Sequence, residues 1–305
     1  MKSSRPLMGV TFDCWNTLLV DADLDAARAL RVAALRDTAS ASGVDVDGER
    51  AIVAIRAAHV RHVELWSRGV GSGSVEMAAW ALEAVGITDL RLAGVLGNRF
   101  EEAGLAGSVA ALPGARDVLT ALRRRGVRTA LICDTGFSGG RIVRAFLLRT
   151  GLLELLEVQV FSNEVGVPKP HPRMFESALS PLGVAAFDAV HVGDLKRTDI
   201  EGGRRAGMGT VRLRAVYDDP DALPDADALA ASHVELLDAL ERAQARARGS
   251  VGYRAGEAGT APAAARLANS TSGAGAICVH TSVIGATRTP VFATSSSTRL
   301  KSAIA

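Results

Sequence analysis

The chain has 305 residues, of which 48% are apolar and 22% are charged, and this composition excludes a chain that is disordered throughout. Its 35 Lys and Arg residues almost balance its 33 Asp and Glu residues. We therefore expect neither nucleic acid nor an acidic membrane surface as the main partner.

The first residues and the cysteines bear on where the protein is located. Asp13 and Asn16 interrupt the first apolar run, and no small-residue cleavage site is recognisable, so this segment does not resemble a signal peptide. No apolar run reaches the length of about 18 residues that a membrane-spanning helix requires. Three cysteines are too few and too far apart for a disulfide framework or a zinc cluster. We expect a cytoplasmic protein.

Five short runs rich in β-branched residues alternate with helical patterns and predict five strands. These runs are Met8–Asp13, Val127–Cys133, Glu157–Phe161, Ala189–Gly193 and Gly209–Leu213. Strands that alternate with helices indicate a parallel sheet covered on both faces. We therefore predict an α/β fold with a Rossmann-like parallel sheet as its core.

A long segment between the first two strands has almost no strand signal and is rich in Ala, Leu, Arg and Glu. Its apolar residues recur at helical spacing and predict four helices, over Leu24–Ser42, Glu49–Arg68, Val75–Val85 and Leu90–Gly104. An insertion of this size at one loop is typical of a separate subdomain. We assign residues 21–109 to an all-helical cap, and residues 6–20 and 110–245 to the α/β core.

The end of the chain differs in composition from the rest. Residues 246–305 are dense in Ala, Gly, Ser and Thr, contain Glu257 as their only acid and show no sustained period. This composition predicts a low-complexity, largely disordered C-terminal tail. Residues 277–284 have strand propensity and are a weak exception.

The polar residues that stand out follow the predicted strands. Asp13 follows the first strand, Thr135 the second, and both Asp194 and Asp199 the fourth, while Lys169 lies between two prolines after the third. Ligands bind at the carboxyl ends of the strands in an open parallel sheet, so we expect these residues to meet at one rim. Converging carboxylates repel one another unless a cation is present, and hard oxygen ligands suit Mg²⁺.

A phosphoryl group is the substrate chemistry that this rim suits. Lys169 and the metal would neutralise its charge, and the carboxylate of Asp13 could attack phosphorus to form an aspartyl-phosphate. Such an intermediate splits one difficult displacement into two easier ones.

These motifs, in this order, resemble the haloacid dehalogenase superfamily over roughly residues 8–215. The insertion after the first strand resembles the branch of that superfamily with a helical cap. The resemblance implies that Asp13 is the nucleophile, that Thr17 is the threonine of the first motif, and that Lys169 stabilises the phosphate. Together with Thr135, Thr17 and Lys169 form the expected phosphate site.

The same resemblance implies the metal site. Asp13 and Asp194 would be ligands, and Trp15 would contribute its backbone carbonyl. Asp199 would position either the lysine or a water bound to the metal. We expect Asp13, Trp15, Asp194 and Asp199 to surround one Mg²⁺ ion.

The sequence departs from this pattern in its first motif. Trp15 stands where the phosphatases of the superfamily carry a second Asp, which acts as the general acid and base. An indole cannot do this work, which is typically worth about 10²–10⁴-fold in rate. Asp134, His171 or a metal-bound water could replace it. The dehalogenases of the superfamily have Tyr at this position, so Trp15 favours them, whereas Asp194 with Asp199 favours a metal-dependent phosphatase.

Two further departures concern single positions. Cys133 stands where the superfamily usually places Ser or Thr, so the residue that contacts phosphate after the second strand stays open. Asn16 replaces the usual glycine, and Asn tolerates a left-handed backbone better than most residues.

Other conspicuous residues are interpreted as structural. We expect Trp66 and Trp80 to lie in the core of the cap and Cys14 and Cys133 to act as small buried apolar residues. His191 is expected to pack beneath a helix, on the face opposite Asp194. A cluster on the second cap helix is interpreted as a solvated face because its spacing wraps around the helix; its members are Arg56, His59, Arg61 and His62.

The expected function is a Mg²⁺-dependent hydrolase, most simply a phosphatase of a small phosphorylated metabolite. One alternative is a hydrolase similar to the 2-haloacid dehalogenases, which would use Asp13 on a carbon atom of a small halogenated metabolite. The other alternative is a catalytically weak metabolite-binding protein.

Overall fold

The structure is a computed structural model that describes residues 6–255. Its strands are β1 (Gly9–Phe12), β2 (Leu19–Asp23), β3 (Ser108–Ala111), β4 (Arg128–Cys133), β5 (Val158–Phe161), β6 (Ala189–Gly193), β7 (Gly209–Leu213) and β8 (Ala228–Ala230). Its helices are α1 (Asp25–Ala41), α2 (Gly48–Ser67), α3 (Ser74–Ala84), α4 (Leu90–Gly104), α5 (Ala115–Arg124), α6 (Gly140–Arg149), α7 (Ser162–Val165), α8 (Pro172–Leu182), α9 (Glu201–Arg205) and α10 (Leu236–Ala255).

Six strands form one parallel sheet in the order β5-β4-β1-β6-β7-β8. The predicted α/β fold with a parallel sheet is confirmed, and all five predicted strands belong to this sheet. β8 is an addition at the edge, since a three-residue strand is too short to show a pattern in the sequence. The chain adds strands on one side of β1 and then on the other, so the crevice where strand order reverses lies at the carboxyl end of β1.

Helices cover both faces of the sheet because alternate residues of each strand point to opposite sides. Leu131 of β4 belongs to an apolar cluster that includes residues of α5, α6 and α10. Its neighbours Ala130 and Ile132 pack on the other side with Phe175 of α8. Burial on both faces explains why these strands are almost uniformly apolar.

The four predicted cap helices correspond to α1–α4, and α4 has the predicted bounds. They share an apolar cluster of their own, which includes Leu35, Ile55, Met77, Leu82 and Phe100. Asp47 and Asp89 accept hydrogen bonds from backbone amides in the first turns of α2 and α4, which explains where these helices begin.

An antiparallel ribbon of β2 and β3 joins the cap to the core. The sequence did not predict it, because its strands are short and β2 ends in acidic residues. β2 also runs across the expected boundary at residue 20, so the division into 6–20, 21–109 and 110–245 stays a prediction.

The last helix corrects the expectation for the end of the chain. α10 extends to Ala255, so residues 246–255 of the expected disordered tail are helical. Leu236, Leu240 and Ala243 anchor the helix in the core, and the run rich in Ala and Arg that follows favours helix. Residues 256–305, with the segment 277–284 and Cys278, lie outside the described residues. Within 6–255, no helix is long and apolar enough to cross a membrane.

Candidate active site

Three carboxylates meet at the carboxyl ends of β1 and β6. Asp13 directly follows β1, Asp194 directly follows β6, and Asp199 lies in a π-helical turn over Lys196–Ile200. One oxygen of each carboxylate lies within 4.8 Å of the others, and all three residues are buried. The sheet therefore brings together the three acids that the sequence predicted to converge.

Lys169 holds two of these acids. Its side chain is 2% exposed, and its Nζ donates to Oδ1 of Asp13 at 2.5 Å and to Oδ1 of Asp199 at 2.7 Å. Burial alone would lower the pKa of Lys169, but Asp13, Asp199 and Asp134 raise it well above its usual range. The lysine is therefore a fixed cation in the floor of the site.

Asp199 lies beneath this lysine. Burial raises the pKa of Asp199, but Lys169 and His191 lower it more, so the pKa falls below its usual range. The backbone amide of Leu195 donates to its Oδ2 at 3.0 Å. With both oxygens engaged, Asp199 fits the role of positioning Lys169. Only glycine allows this close approach at position 193, where a Cβ would lie 2.3 Å from Cγ of Asp199.

His191 corrects part of its interpretation. The ring is fully buried and meets Phe175 of α8 edge to face, as expected for packing beneath a helix. However, its Nε2 lies 3.3 Å from Oδ1 of Asp199, so the ring does not face away from the site. The turn after β6 brings Asp199 back under the strand end, which sequence spacing alone could not reveal. On the other side, Nδ1 shares a 2.7 Å hydrogen bond with the hydroxyl of Thr11.

The remaining carboxylates have raised pKa values. Burial, opposed by Lys169 and reinforced by Asp199, raises the pKa of Asp13 to about 7. Burial and the nearby Asp13 and Asp199 raise the pKa of Asp194 well above its usual range. Neighbouring buried carboxylates of this kind are the hard oxygen donors that Mg²⁺ prefers, and a divalent cation would relieve their repulsion. The donor set therefore fits a metal ion.

The turn after β1 has the backbone that the sequence suggested. Asn16 has a φ of +58°, in the left-handed region, and its Nδ2 donates to Oδ2 of Asp194 at 3.3 Å. The ring of Trp15 lines the cleft and contacts Phe146 edge to face, with centroids 6.2 Å apart. Trp15 is thus part of the cleft wall.

The turn after β4 supplies two cleft residues. Oδ1 of Asp134 accepts from the backbone amide of Lys169 at 2.9 Å, and Oδ2 accepts from Nε1 of Trp66 at 2.8 Å. Burial raises the pKa of Asp134. Thr135 lines the same cleft, where its hydroxyl donates to Oδ1 of Asn163 at 3.1 Å. Cys133, the last residue of β4, is fully buried, as expected for a small apolar residue.

Two residues considered for the chemistry are not brought to the cleft. Thr17, expected in the phosphate site, is fully buried beneath the turn and does not line the cleft, and its Oγ1 has no hydrogen-bond partner within residues 6–246. His171 is exposed at the start of α8, where its Nδ1 accepts from the amide of Arg173. Thr17 therefore supports the turn, and His171 caps a helix.

A cleft of about 510 Å³ lies between the cap and the cluster of Asp13, Lys169, Asp194 and Asp199, which we call the floor. Arg56, His59 and His62 of α2 line it. Arg56 is exposed, as expected of a solvated face, whereas the half-buried His59 and His62 correct that interpretation. Consecutive spacings of three, three and four residues turn these residues and Trp66 towards the cleft. Arg61 differs, since it turns outward to Glu83 and stacks on Trp80.

We had expected Trp66 to lie in the core of the cap. Instead, it connects the cap to the α/β core. Besides its hydrogen bond to Asp134, the indole stacks with the guanidinium of Arg197, whose Cζ lies 4.1 Å from the ring centroid. Sequence spacing within α2 could have placed Trp66 on the cleft face, but nothing in the sequence named its partners.

Comparisons with known proteins identify the family and agree with the fold. The sequence profile of the haloacid dehalogenase-like hydrolases matches residues 7–207. A phosphoserine phosphatase of Thermus thermophilus is 34% identical over 171 residues, which are 53% of this chain and 68% of that protein. A solved structure of a 2-haloacid dehalogenase from Pseudomonas syringae pv. Tomato is 26% identical, with a TM-score of 0.55 over 77% of this chain and 99% of the other.

A further relative matches a shorter stretch. A glyceraldehyde 3-phosphate phosphatase of Methanopyrus kandleri is 44% identical over 82 residues, which are 27% of this chain and 35% of that protein. The chain thus spans about a third of the length of this relative.

Proposed function

The chain belongs to the haloacid dehalogenase-like hydrolase family, and from this premise we propose that it is a phosphatase of a small phosphorylated metabolite. The observation that carries the proposal is the buried floor of the cleft. There, Lys169 lies 2.5 Å from the carboxylate of Asp13, and Asp194 completes the cluster. A nucleophilic carboxylate, a fixed cation and a second acid for a metal are the parts that phosphoryl transfer to an aspartate needs.

The first step of the proposed reaction forms an aspartyl-phosphate. An oxygen of Asp13 attacks phosphorus, the bond between phosphorus and the leaving oxygen breaks, and the leaving group takes up a proton. Water then attacks the phosphorus, phosphate departs and the carboxylate of Asp13 is regenerated. Lys169 counters the negative charge of the phosphoryl oxygens throughout, and Asp199 holds its ammonium group in place.

The proposed cofactor is Mg²⁺, which Asp13, Asp194 and the backbone carbonyl of Trp15 would hold. When bound, it supplies positive charge that neutralises the phosphoryl group. Asp199 was also expected around the metal, but its bonds to Lys169 and Leu195 favour the positioning role.

Asp134 is the residue that we propose as the replacement for the missing second Asp. Of the two side chains considered for this role, Asp134 lines the cleft and His171 does not. Burial raises the pKa of Asp134, which is the direction that a general acid needs, although the charge of Lys169 and the bond from Trp66 oppose the rise. Trp66 and the amide of Lys169 fix the orientation of its carboxyl group.

A second candidate function is hydrolysis of a 2-haloacid. Trp15 occupies the position of the dehalogenase Tyr, and the solved dehalogenase has a similar fold at 26% identity. In that reaction Asp13 would attack carbon and a halide would leave, which needs neither a leaving-group acid nor a metal. The cluster of Asp13 with Asp194 favours the phosphatase instead, because a dehalogenase has no use for a second buried acid there.

The deciding experiment is a substrate panel for the full-length protein. Phosphorylated metabolites and 2-haloacids would be tested with Mg²⁺ or with EDTA, beside Asp13→Asn and the exposed control Asp25→Asn. We expect phosphate release that requires Mg²⁺ and falls about 10⁴-fold or more in Asp13→Asn only. Halide release in EDTA would replace the proposal with the dehalogenase. Ligand-induced thermal stabilisation without turnover of either class would replace it with a binding protein.

The proposed location is the cytoplasm. Cys14 and Cys133 are both free and buried, which suits a compartment where thiols stay reduced. The proposed partner is a small metabolite, in keeping with the size of the cleft.

A further inference from the structure

One cation in the wall of the cleft is buried without an acidic partner. Arg31 of α1 is 8% exposed and lines the cleft. Its Nε donates to the carbonyl of Phe100 at 3.1 Å, and its Nη2 lies 3.4 Å from the hydroxyl of Ser138. None of the ion pairs among residues 6–246 involves Arg31. Buried charges are normally paired or hold a ligand, so Arg31 is able to bind an anion that enters the cleft.

A polar atom without a hydrogen-bond partner among the described residues belongs to His59, which packs against the same aromatic ring as Arg31. Nε2 of His59 is buried and has no hydrogen-bond partner within residues 6–246. The ring of His59 stacks on Phe137, with centroids 6.0 Å apart and planes at 15°. The guanidinium of Arg31 lies 4.9 Å from the centroid of the same Phe137 ring. Both groups thus pack against the Phe137 ring, and burial together with the charge of Arg31 lowers the pKa of His59.

The surrounding charges do not neutralise Arg31. Burial and the nearby Arg28 lower its pKa to about 10, and Asp21 opposes this shift without offsetting it. Arg28 lines the same cleft and pairs with the exposed Asp25 at 2.7 Å, whereas Arg31 has no such partner among residues 6–246. At neutral pH the guanidinium is still charged, and the wall attracts anions.

We propose that Arg31 and His59 form a second anion site, and that the substrate is a phosphate monoester bearing another anionic group. The inference rests on the proposed phosphatase function and names its substrate class. The floor would take the phosphate that is transferred, and Arg31 with His59 would take the other group, a carboxylate or a second phosphate. The apolar side chains of Ile55, Val63 and Phe137 line the cleft with them and suit a short carbon skeleton.

A matched series of three-carbon substrates tests this. 3-Phosphoglycerate carries a carboxylate, glycerol 1,3-bisphosphate a second phosphate, and glycerol 1-phosphate no second anion. Each would be assayed with full-length wild type, Arg31→Met and Arg31→Lys. The control is Arg99→Met, since Arg99 is a cap arginine that pairs with Asp37 and does not line the cleft. Circular dichroism would establish that each variant is folded.

We expect wild type to prefer at least one substrate with a second anion over glycerol 1-phosphate by about tenfold or more in kcat/KM. The preferred substrate identifies the group as carboxylate or phosphate. Arg31→Met should remove the preference through KM, and Arg31→Lys should keep part of it because the charge remains. Arg99→Met should behave as wild type. Turnover without any preference, or a preference that survives in Arg31→Met, would overturn the second anion site and leave the phosphatase standing.

Binding separates this outcome from a failure of the phosphatase proposal. The same three compounds would be titrated calorimetrically into Asp13→Asn, with and without Arg31→Met. If wild type hydrolyses none of them but the titrations keep a preference that depends on Arg31, the anion site stands and the phosphatase falls. If the titrations show no such preference either, the anion site is also wrong.

Discussion

Charged side chains in direct contact hold the floor of the cleft, whereas aromatic rings and cations build its roof. In the floor, Lys169 lies between Asp13 and Asp199, and each of these groups is almost fully buried. In the roof, Arg31 of α1 packs against Phe137 of the core. Trp66 of α2 packs against Arg197 of the core in the same way. Arg31 has no acidic partner among the described residues, while the floor lysine has two.

This difference separates two tasks. A floor of paired charges keeps the reacting groups in one geometry before any substrate arrives, which is how preorganised sites lower a barrier. Arg31 and His59 in the roof can still donate hydrogen bonds to the part of the substrate that does not react. We therefore expect changes in the floor to cost both stability and turnover, and changes in the roof to alter selectivity and the response to pH.

The largest effect is expected from Lys169→Met. The change leaves Asp13 and Asp199 buried without their cation, and breaking a buried pair in this way costs about 3–5 kcal/mol of unfolding free energy. Urea denaturation at pH 7 in EDTA would measure it. The control Lys196→Met removes a lysine whose Nζ contacts only the exposed carbonyl of Asp221, and it should cost less than about 1 kcal/mol. Similar losses for both variants would contradict a floor held by charge pairs.

A smaller effect is expected when the pH is lowered and His62 in the roof takes up a proton. Burial and His59 lower the pKa of His62 from 6.5 to about 4. Between these values the unfolded chain binds more protons than the folded protein, so this contribution to stability is present above pH 6.5 and is lost as the pH falls to 4. Asp13, whose pKa is raised to about 7, acts with the opposite sign. The informative quantity is therefore the difference between wild type and a variant.

His62→Gln isolates that difference. Relative to wild type, its unfolding free energy should improve by on the order of 2 kcal/mol as the pH falls from 7 to 4. Urea denaturation across this range measures it. Ser67→Ala at the end of the same helix is the control, because neither residue titrates in this range, and its difference from wild type should not change with pH. A pH-independent difference for His62→Gln would show that the roof does not exclude the proton.

The smallest effect is expected from Trp66→Phe. The variant keeps an aromatic ring for Arg197 but loses the 2.8 Å hydrogen bond from the indole to Asp134. We expect a loss of about 1 kcal/mol in stability and a further rise in the pKa of Asp134, because that bond favours the charged carboxylate. NMR titration of the Asp134 carboxyl carbon measures the second effect. Trp80→Phe, in the cap beside Arg61, should leave this pKa unchanged.

Much of the fold could be predicted from the pattern of apolar residues. Strands buried on both faces are continuous apolar runs, and the cap helices repeat at helical spacing, so both are visible in the sequence. The ribbon of β2 and β3 and the strand β8 were missed, because these strands are too short to show a pattern and β2 ends in acidic residues. The helical residues 246–255 were missed because a composition rich in Ala and Arg was taken for low complexity.

The candidate site was likewise predicted only in part from the sequence. The sequence predicted that Asp13, Asp194 and Lys169 would lie together, because each lies beside a strand end or between prolines, and the structure brings them together. Thr17 was expected at the phosphate but lies buried beneath the turn. His59 and His62 were interpreted as solvated because helical spacing shows which residues share a face but not what that face meets.

By itself, the sequence determined the parallel sheet, the helical insertion and the convergence of three acids at one rim. These follow from contacts that repeat along the chain and from the rule that parallel strands end at the same edge. Only the tertiary structure decided the rest: that His191 reaches Asp199, that Trp66 bonds to Asp134, and that Arg31 is buried without an acid. Such contacts join residues far apart in the chain, and their distances depend on how the cap packs over the core.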